Sequence, residues 1–160
     1  MAHFYRKGLE TIVSYDPVLV VEDNKANQTL IIKILEILGF PHCVVTDNGA
    51  DAVQACKQLQ FAVILMDLRM PGIDGIQASQ IILNDLALTY KPHIIAVTTD
   101  STPERRKACT KVGMKAFLTK PVCIPALNEC IIDAYQDYDQ FLNSHTKACK
   151  TKKEALTSQN

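Results

Sequence analysis

Five short apolar runs, each followed by a segment of helical period, constrain this chain more than any other feature. The runs are Val18-Leu19-Val20-Val21, Cys43-Val44-Val45-Thr46, Ala62-Val63-Ile64-Leu65-Met66, His93-Ile94-Ile95-Ala96-Val97 and Ala116-Phe117-Leu118. The strongest of them are continuously apolar rather than alternating. A strand needs that pattern when both faces of its sheet are covered, which goes with parallel strands and crossover helices.

The intervening segments read as those helices. Leu30, Ile31, Ile34, Leu35 and Leu38 trace one face of the first, and Gly39 is a natural stop. Asn48-Gly49 opens the second, with Ala52, Val53 and Cys56 directed inward. Residues 76–86 form the third. Thr102-Pro103-Glu104 starts the fourth, a capping residue followed by proline at the first helical position, and Gly113 ends it. Its Arg105-Arg106-Lys107 reads as a solvated face. The fifth spans 124–138, with Leu127, Ile131 and Tyr135 on one stripe. Five strand–helix repeats predict an α/β open sheet with right-handed crossovers. Residues 1–15 are then an N-terminal extension, 16–137 the domain, and 138–160 a polar, lysine-bearing tail expected to be disordered.

Composition narrows the partners. Lys+Arg and Asp+Glu are both 17, so no whole-protein field draws in nucleic acid or an anionic membrane. The longest apolar run, 61–66, is too short to span a bilayer. No nucleic-acid partner and no membrane insertion are expected. The six cysteines include no C-x-x-C pair, and no histidine stands at zinc-ligand spacing beside them. Reduced core thiols are expected, hence a cytoplasmic protein, or a nuclear one in a eukaryote.

In open α/β sheets the ligand crevice lies at the carboxyl ends of the strands. Glu22 and Asp23 follow the first strand, Asp67 the third, Thr98 the fourth, and Lys120 with Pro121 the fifth. Three carboxylates in one crevice repel each other unless a cation joins them. With no His or Cys in the set, a hard, oxygen-loving ion is implied, and an open site favours Mg²⁺. Lys120 suits a phosphoryl oxygen as a point charge, and the Thr98 hydroxyl can donate to another. These are parts for phosphoryl transfer to an aspartate.

Four blocks carry a resemblance. Val18-Leu19-Val20-Val21-Glu22-Asp23-Asn24, Met66-Asp67-Leu68-Arg69-Met70-Pro71-Gly72-Ile73-Asp74-Gly75, Ile95-Ala96-Val97-Thr98 and Phe117-Leu118-Thr119-Lys120-Pro121 resemble the signature blocks of the receiver domain of two-component response regulators. They stand in order and at the family's intervals over residues 16–137. The resemblance implies a flavodoxin-like (βα)5 sheet of strand order 2-1-3-4-5 with helices on both faces. It implies that Asp67 is the phosphoacceptor, served by a phosphohistidine on a histidine kinase or histidine phosphotransfer protein. Asp23, Asp67, the backbone carbonyl of Arg69 and, through water, Glu22 would hold Mg²⁺, or Mn²⁺ in its place. Lys120 would pair with the phosphoryl group, while Thr98 and Phe117 would switch together. The Lys120–Pro121 peptide would be cis.

The departures are informative. Glu22 stands where many members carry Asp. Thr99 stands where Ala or Gly is usual. Arg69 and Asp100 occupy positions that in the family flank the phosphoryl group and tune its hydrolysis. Their opposite charges predict a pair over the site which, with Thr99, lengthens the phosphorylated state. The chain is expected to act as a switch rather than an enzyme, catalysing only its own phosphorylation and slow dephosphorylation. It would be a stand-alone receiver or a module of a hybrid histidine kinase. Output would pass through the fourth helix, fifth strand and fifth helix, to a downstream target or a second copy. A pseudo-receiver scaffold is one alternative. An aspartyl-phosphate phosphatase is another, but it wants an Asp where Arg69 stands.

Overall fold

A computed structural model describes residues 3–7, 10–14 and 16–157, with side chains over 16–84 and 86–146. Its centre is a parallel sheet of five strands: β3 (Val18–Val21), β4 (Cys43–Thr46), β5 (Val63–Met66), β6 (His93–Thr98) and β7 (Ala116–Thr119). They lie in the order β4-β3-β5-β6-β7, which is 2-1-3-4-5 when the sheet's own strands are counted. Crossovers are made by α1 (Lys25–Ile37), α2 (Gly49–Gln58), α3 (Gly75–Gln80) and α4 (Pro103–Val112), and α5 (Ile124–Thr157) follows the last strand.

The continuous apolar runs serve two cores at once. Val18, Val20, Val63, Leu65, Ile95 and Val97 pack on one face with Ile31, Leu35, Leu127, Ile131 and Tyr135 of α1 and α5. Leu19, Val21, Ile64, Met66, Ile94 and Ala96 pack on the other with Ala52, Val53, Cys56, Ala78 and Cys109 of α2, α3 and α4. Successive side chains of a strand point to opposite faces, so only an apolar residue at every position can fill both. Edge strands β4 and β7 are half-buried, which explains their weaker patterns.

Helix signals survive in detail, with four corrections. Leu30 is 55% exposed, and the inward face of α1 is Gln28, Ile31, Ile34 and Leu35. A 100° turn per residue places 28, 31 and 35 on one line and rotates 30 away. The third helix is α only to Gln80 and then passes into a π-helical turn, Ile81–Asp85. Thr102 takes the N-cap position of α4, but its side chain makes no capping hydrogen bond. Last, α5 does not end near Tyr138 but continues to Thr157. No glycine or proline follows Pro125 to stop it. Its aromatic stripe also continues, with Phe141 lying 5.0 Å from Tyr90 and 4.0 Å from His145 between ring centroids.

The N-terminal extension adds two strands that the sequence reading did not assign. β1 (His3–Lys7) and β2 (Glu10–Ser14) form an antiparallel hairpin in which His3 faces Ser14, and the hairpin lies against α5. Two five-residue runs flanking Gly8 were the available signal.

Candidate functional site

Strand register assembles the site. Val21 pairs with Met66, and Met66 with Ala96, so Glu22 and Asp67 emerge side by side at one edge. Thr98 pairs with Thr119, which puts Lys120 next along. Backbone bonds extend the ladder past the strands: Glu22 N–H donates to Thr46 O at 3.1 Å, Asp67 N–H to Val21 O at 3.0 Å, and Lys120 N–H to Thr98 O at 2.9 Å.

The loop after β5 is set by a close approach. A Cβ on Gly75 would stand 2.1 Å from the carbonyl oxygen of Asp67, so only glycine lets α3 start beside the acidic residue. Asp74 caps that helix through a reciprocal box with Gln77. Asn24 caps α1 by accepting from the Asn27 N–H at 3.1 Å.

Glu22, Asp23 and Asp67 each bring a carboxylate oxygen within 4.8 Å of the others. Glu22 and Asp67 are buried, and Asp23 is exposed. Lys120 reaches in from the fifth strand's end, with Nζ 2.5 Å from Glu22 Oε2 and 3.4 Å from Asp67 Oδ2. The Lys120–Pro121 peptide is cis. Three carboxylates against one ammonium leave two negative charges in a partly buried crevice. That balance, with an all-oxygen donor set, fits a hard divalent cation. Burial pushes the Asp67 carboxyl above its ordinary value. Lys120 and the Arg69 N–H, 3.2 Å from Oδ1, pull it down, and Glu22 pushes it up again.

The flanking residues are also in place. Arg69 Nη2 donates to Asp100 Oδ2 at 3.1 Å. The Asp100 N–H donates to Thr98 Oγ1 at 3.2 Å. Thr98 is fully buried, while Thr99 is exposed and lines a groove of about 370 Å³ with Leu30, Lys120 and Pro121. Phe117 is half-buried, and the Arg106 guanidinium sits 4.4 Å from its ring centroid.

Some participants were missed. Asn27 donates to Glu22 Oε1 at 3.2 Å, and Gln28 donates to the Glu22 carbonyl at 2.5 Å and to Asp47 at 2.6 Å. These bonds aim Glu22 from behind. The available signal was Gln28 itself, a polar residue in line with the inward Ile31 and Leu35. Arg105 does not lie on a solvated face: it reaches Asp100 Oδ2 at 3.5 Å and Asp74 Oδ2 at 4.0 Å. Among the described residues the cysteines are free thiols, with Cys56 and Cys109 buried and Cys123 exposed. No described helix is long and apolar enough to cross a membrane.

The sequence pattern that defines the response regulator receiver domain matches residues 18–132. The chain belongs to the response regulator receiver family. This receiver domain is 33% identical over 127 residues to the osmosensing histidine protein kinase SLN1 of Saccharomyces cerevisiae, covering 74% of this chain and 10% of that protein. It is 37% identical over 105 residues to the signal transduction histidine-protein kinase BarA of Escherichia coli K12, covering 66% and 11%. It therefore spans about a tenth of the length of these curated relatives.

Among solved structures, the receiver domain of the sensor histidine kinase PA1611 from Pseudomonas aeruginosa matches with a TM-score of 0.69 at 30% identity. That match covers 77% of this chain and 99% of the other, which holds a magnesium ion in its active site cleft. The receiver domain of Francisella response regulator 1452 also gives 0.69, at 25% identity over 78% and 99% of the two chains. Receiver domains are phosphoacceptors of two-component signalling, interact with histidine kinases or phosphotransfer proteins, and bind Mg²⁺ at an acidic pocket.

Proposed function

We propose that Asp67 accepts a phosphoryl group from the phosphohistidine of a histidine kinase or histidine phosphotransfer protein. The observation that carries this reading is the grouping of the Asp67 carboxylate with Glu22, Asp23 and the Lys120 ammonium at one sheet edge. Asp67 stands at the end of the central strand β5, between β3 and β6, and is the acid this reading takes as the nucleophile. In the transfer a new P–O bond forms at Asp67 while the P–N bond of the donor breaks. The electron pair goes to the imidazole nitrogen, which takes a proton from solvent.

Glu22, Asp23, Asp67 and the Arg69 carbonyl are the groups that would hold Mg²⁺, or Mn²⁺. When bound, the ion supplies positive charge that offsets the phosphoryl oxygens. Lys120 bridges Glu22 and Asp67 and needs only a small shift to pair with the new group. Thr98 accepts one hydrogen bond from Asp100, and its own proton is free to be donated. As Thr98 moves toward the phosphoryl group, Phe117 turns inward behind it. The α4–β7–α5 surface is then repacked for a downstream target or a second copy. Arg69, Thr99 and Asp100 line one surface pocket, linked to the acceptor through the Arg69 N–H, and in this reading they slow hydrolysis. The reading suits a cytoplasmic receiver, whether stand-alone or a module of a hybrid histidine kinase.

The test is phosphotransfer with Mg²⁺ from acetyl phosphate or a phosphorylated phosphotransfer protein. We expect one alkali-labile phosphoryl group per chain, absent in Asp67→Asn. No incorporation with any donor, and no beryllofluoride binding, would favour a phosphorylation-independent scaffold. Continuous turnover of a phosphate monoester would favour a phosphatase.

A further inference from the structure

The Arg69–Asp100 pair does not stand alone. Asp100 comes from the loop after β6, and its side chain is only 12% exposed. Its Oδ1 accepts from the Thr102 N–H at 3.3 Å. Its Oδ2 is shared by Arg69 Nη2 at 3.1 Å and Arg105 Nε at 3.5 Å. Arg105 belongs to the first turn of α4, and its Nη1 lies 4.0 Å from Asp74 Oδ2, the cap of α3. One guanidinium thus ties the outer side of Asp100 to two helix starts, while the other rises from the residue whose N–H touches Asp67.

Resting on the phosphoacceptor reading above, we propose that Arg105 is a positioning residue for the phosphorylated state. It acts through Asp100, holding the Arg69–Asp100 pair across the acceptor. Loss of the phosphoryl group is attack by water on phosphorus: a P–O bond forms to water and the P–O bond to Asp67 breaks. The electrons return to the carboxylate, one proton of the water passes to solvent, and orthophosphate leaves carrying the other. In this proposal the Arg69–Asp100 pair, joined to the acceptor through the Arg69 N–H, hinders the attacking water. An Asp100 carboxylate held by two guanidinium groups and a backbone N–H keeps one rotamer. Without Arg105 the carboxylate keeps Thr102 and Arg69 alone, and the cover swings with the loop. Partly exposed pairs of this kind are individually weak, so the effect is modest and kinetic.

The experiment measures the decay of the Asp67 phosphoryl group after removal of donor, in wild type, Arg105→Gln, Arg105→Lys, Arg69→Ala and Arg69→Ala/Arg105→Gln. Arg105→Gln should shorten the lifetime about two- to fivefold, the span expected of one partly exposed ion pair. Arg105→Lys should restore most of it. The double variant should decay no faster than Arg69→Ala, because both act through one carboxylate. An unchanged lifetime in Arg105→Gln overturns the proposal, as do independent effects that multiply in the double variant. If wild type takes up no phosphoryl group at all, the functional reading itself fails and this one with it.

Discussion

The two ends of the sheet are built on opposite principles. At the carboxyl end, buried or half-buried charges face one another, Glu22, Asp67, Lys120 and Asp100, with the exposed Arg69 paired to Asp100. At the amino end, beside the His93–Asp137 pair, aromatic rings carry the packing. Tyr90, Tyr138, Phe141 and His145 pack ring on ring, and the Tyr135 hydroxyl donates to the Asp16 carbonyl at 2.7 Å. A crevice that must change state has few apolar contacts to lose, whereas an anchoring end gains from burying rings. Chemistry and stability are thereby separated by the length of a strand.

The sharpest test of that separation is a pair of substitutions. Asp67→Asn abolishes phosphoryl uptake yet raises Tm at neutral pH in the presence of a chelator. It removes a desolvated charge that Glu22 repels. At the other end, Tyr138→Ala lowers stability by about 3–5 kcal/mol, the range for a buried aromatic truncation. Phosphoryl uptake by the folded fraction is retained. Chemical denaturation and a phosphotransfer assay on both variants check this, and a stability loss in Asp67→Asn would break the contrast.

The two ends also respond oppositely to pH. The folded chain holds the Asp67 proton more tightly than the unfolded chain, because burial raises this carboxyl. Its contribution is therefore present at acid pH and is lost as pH rises through the raised value. His93 differs: burial, with Lys115 nearby, lowers its imidazole from 6.5 despite Asp137 at 3.0 Å. That contribution is present above 6.5 and lost as pH falls through the lowered value. Curves of Tm against pH in chelator should lose the first slope in Asp67→Asn and the second in His93→Gln. The smallest effect is expected for Tyr135→Phe, about 0.5–1.5 kcal/mol for the bond to Asp16, measured by denaturant midpoint.

Legibility follows the same divide. Glu22, Asp23, Asp67, Thr98 and Lys120 were readable because each ends a strand, and strand ends converge in a parallel sheet. The Arg69–Asp100 pair was readable from opposite charges on facing loops. Arg105 was not, because a helical arginine beside Arg106 and Lys107 has the same pattern whether it is solvated or engaged. Asn27 escaped for a similar reason, since a polar residue one turn into a helix carries no sign of what it bonds.

Alone, the amino-acid sequence determined the order of elements, the two-faced cores and the acidic crevice. Each of these rests on local period or on residue type at an element's end. Tertiary structure alone decided the packing of β1 and β2 on α5, the meeting of Tyr90 with Phe141 and the sharing of Asp100 between two arginines. Those depend on which surfaces meet across long sequence separations, and local pattern does not encode such meetings.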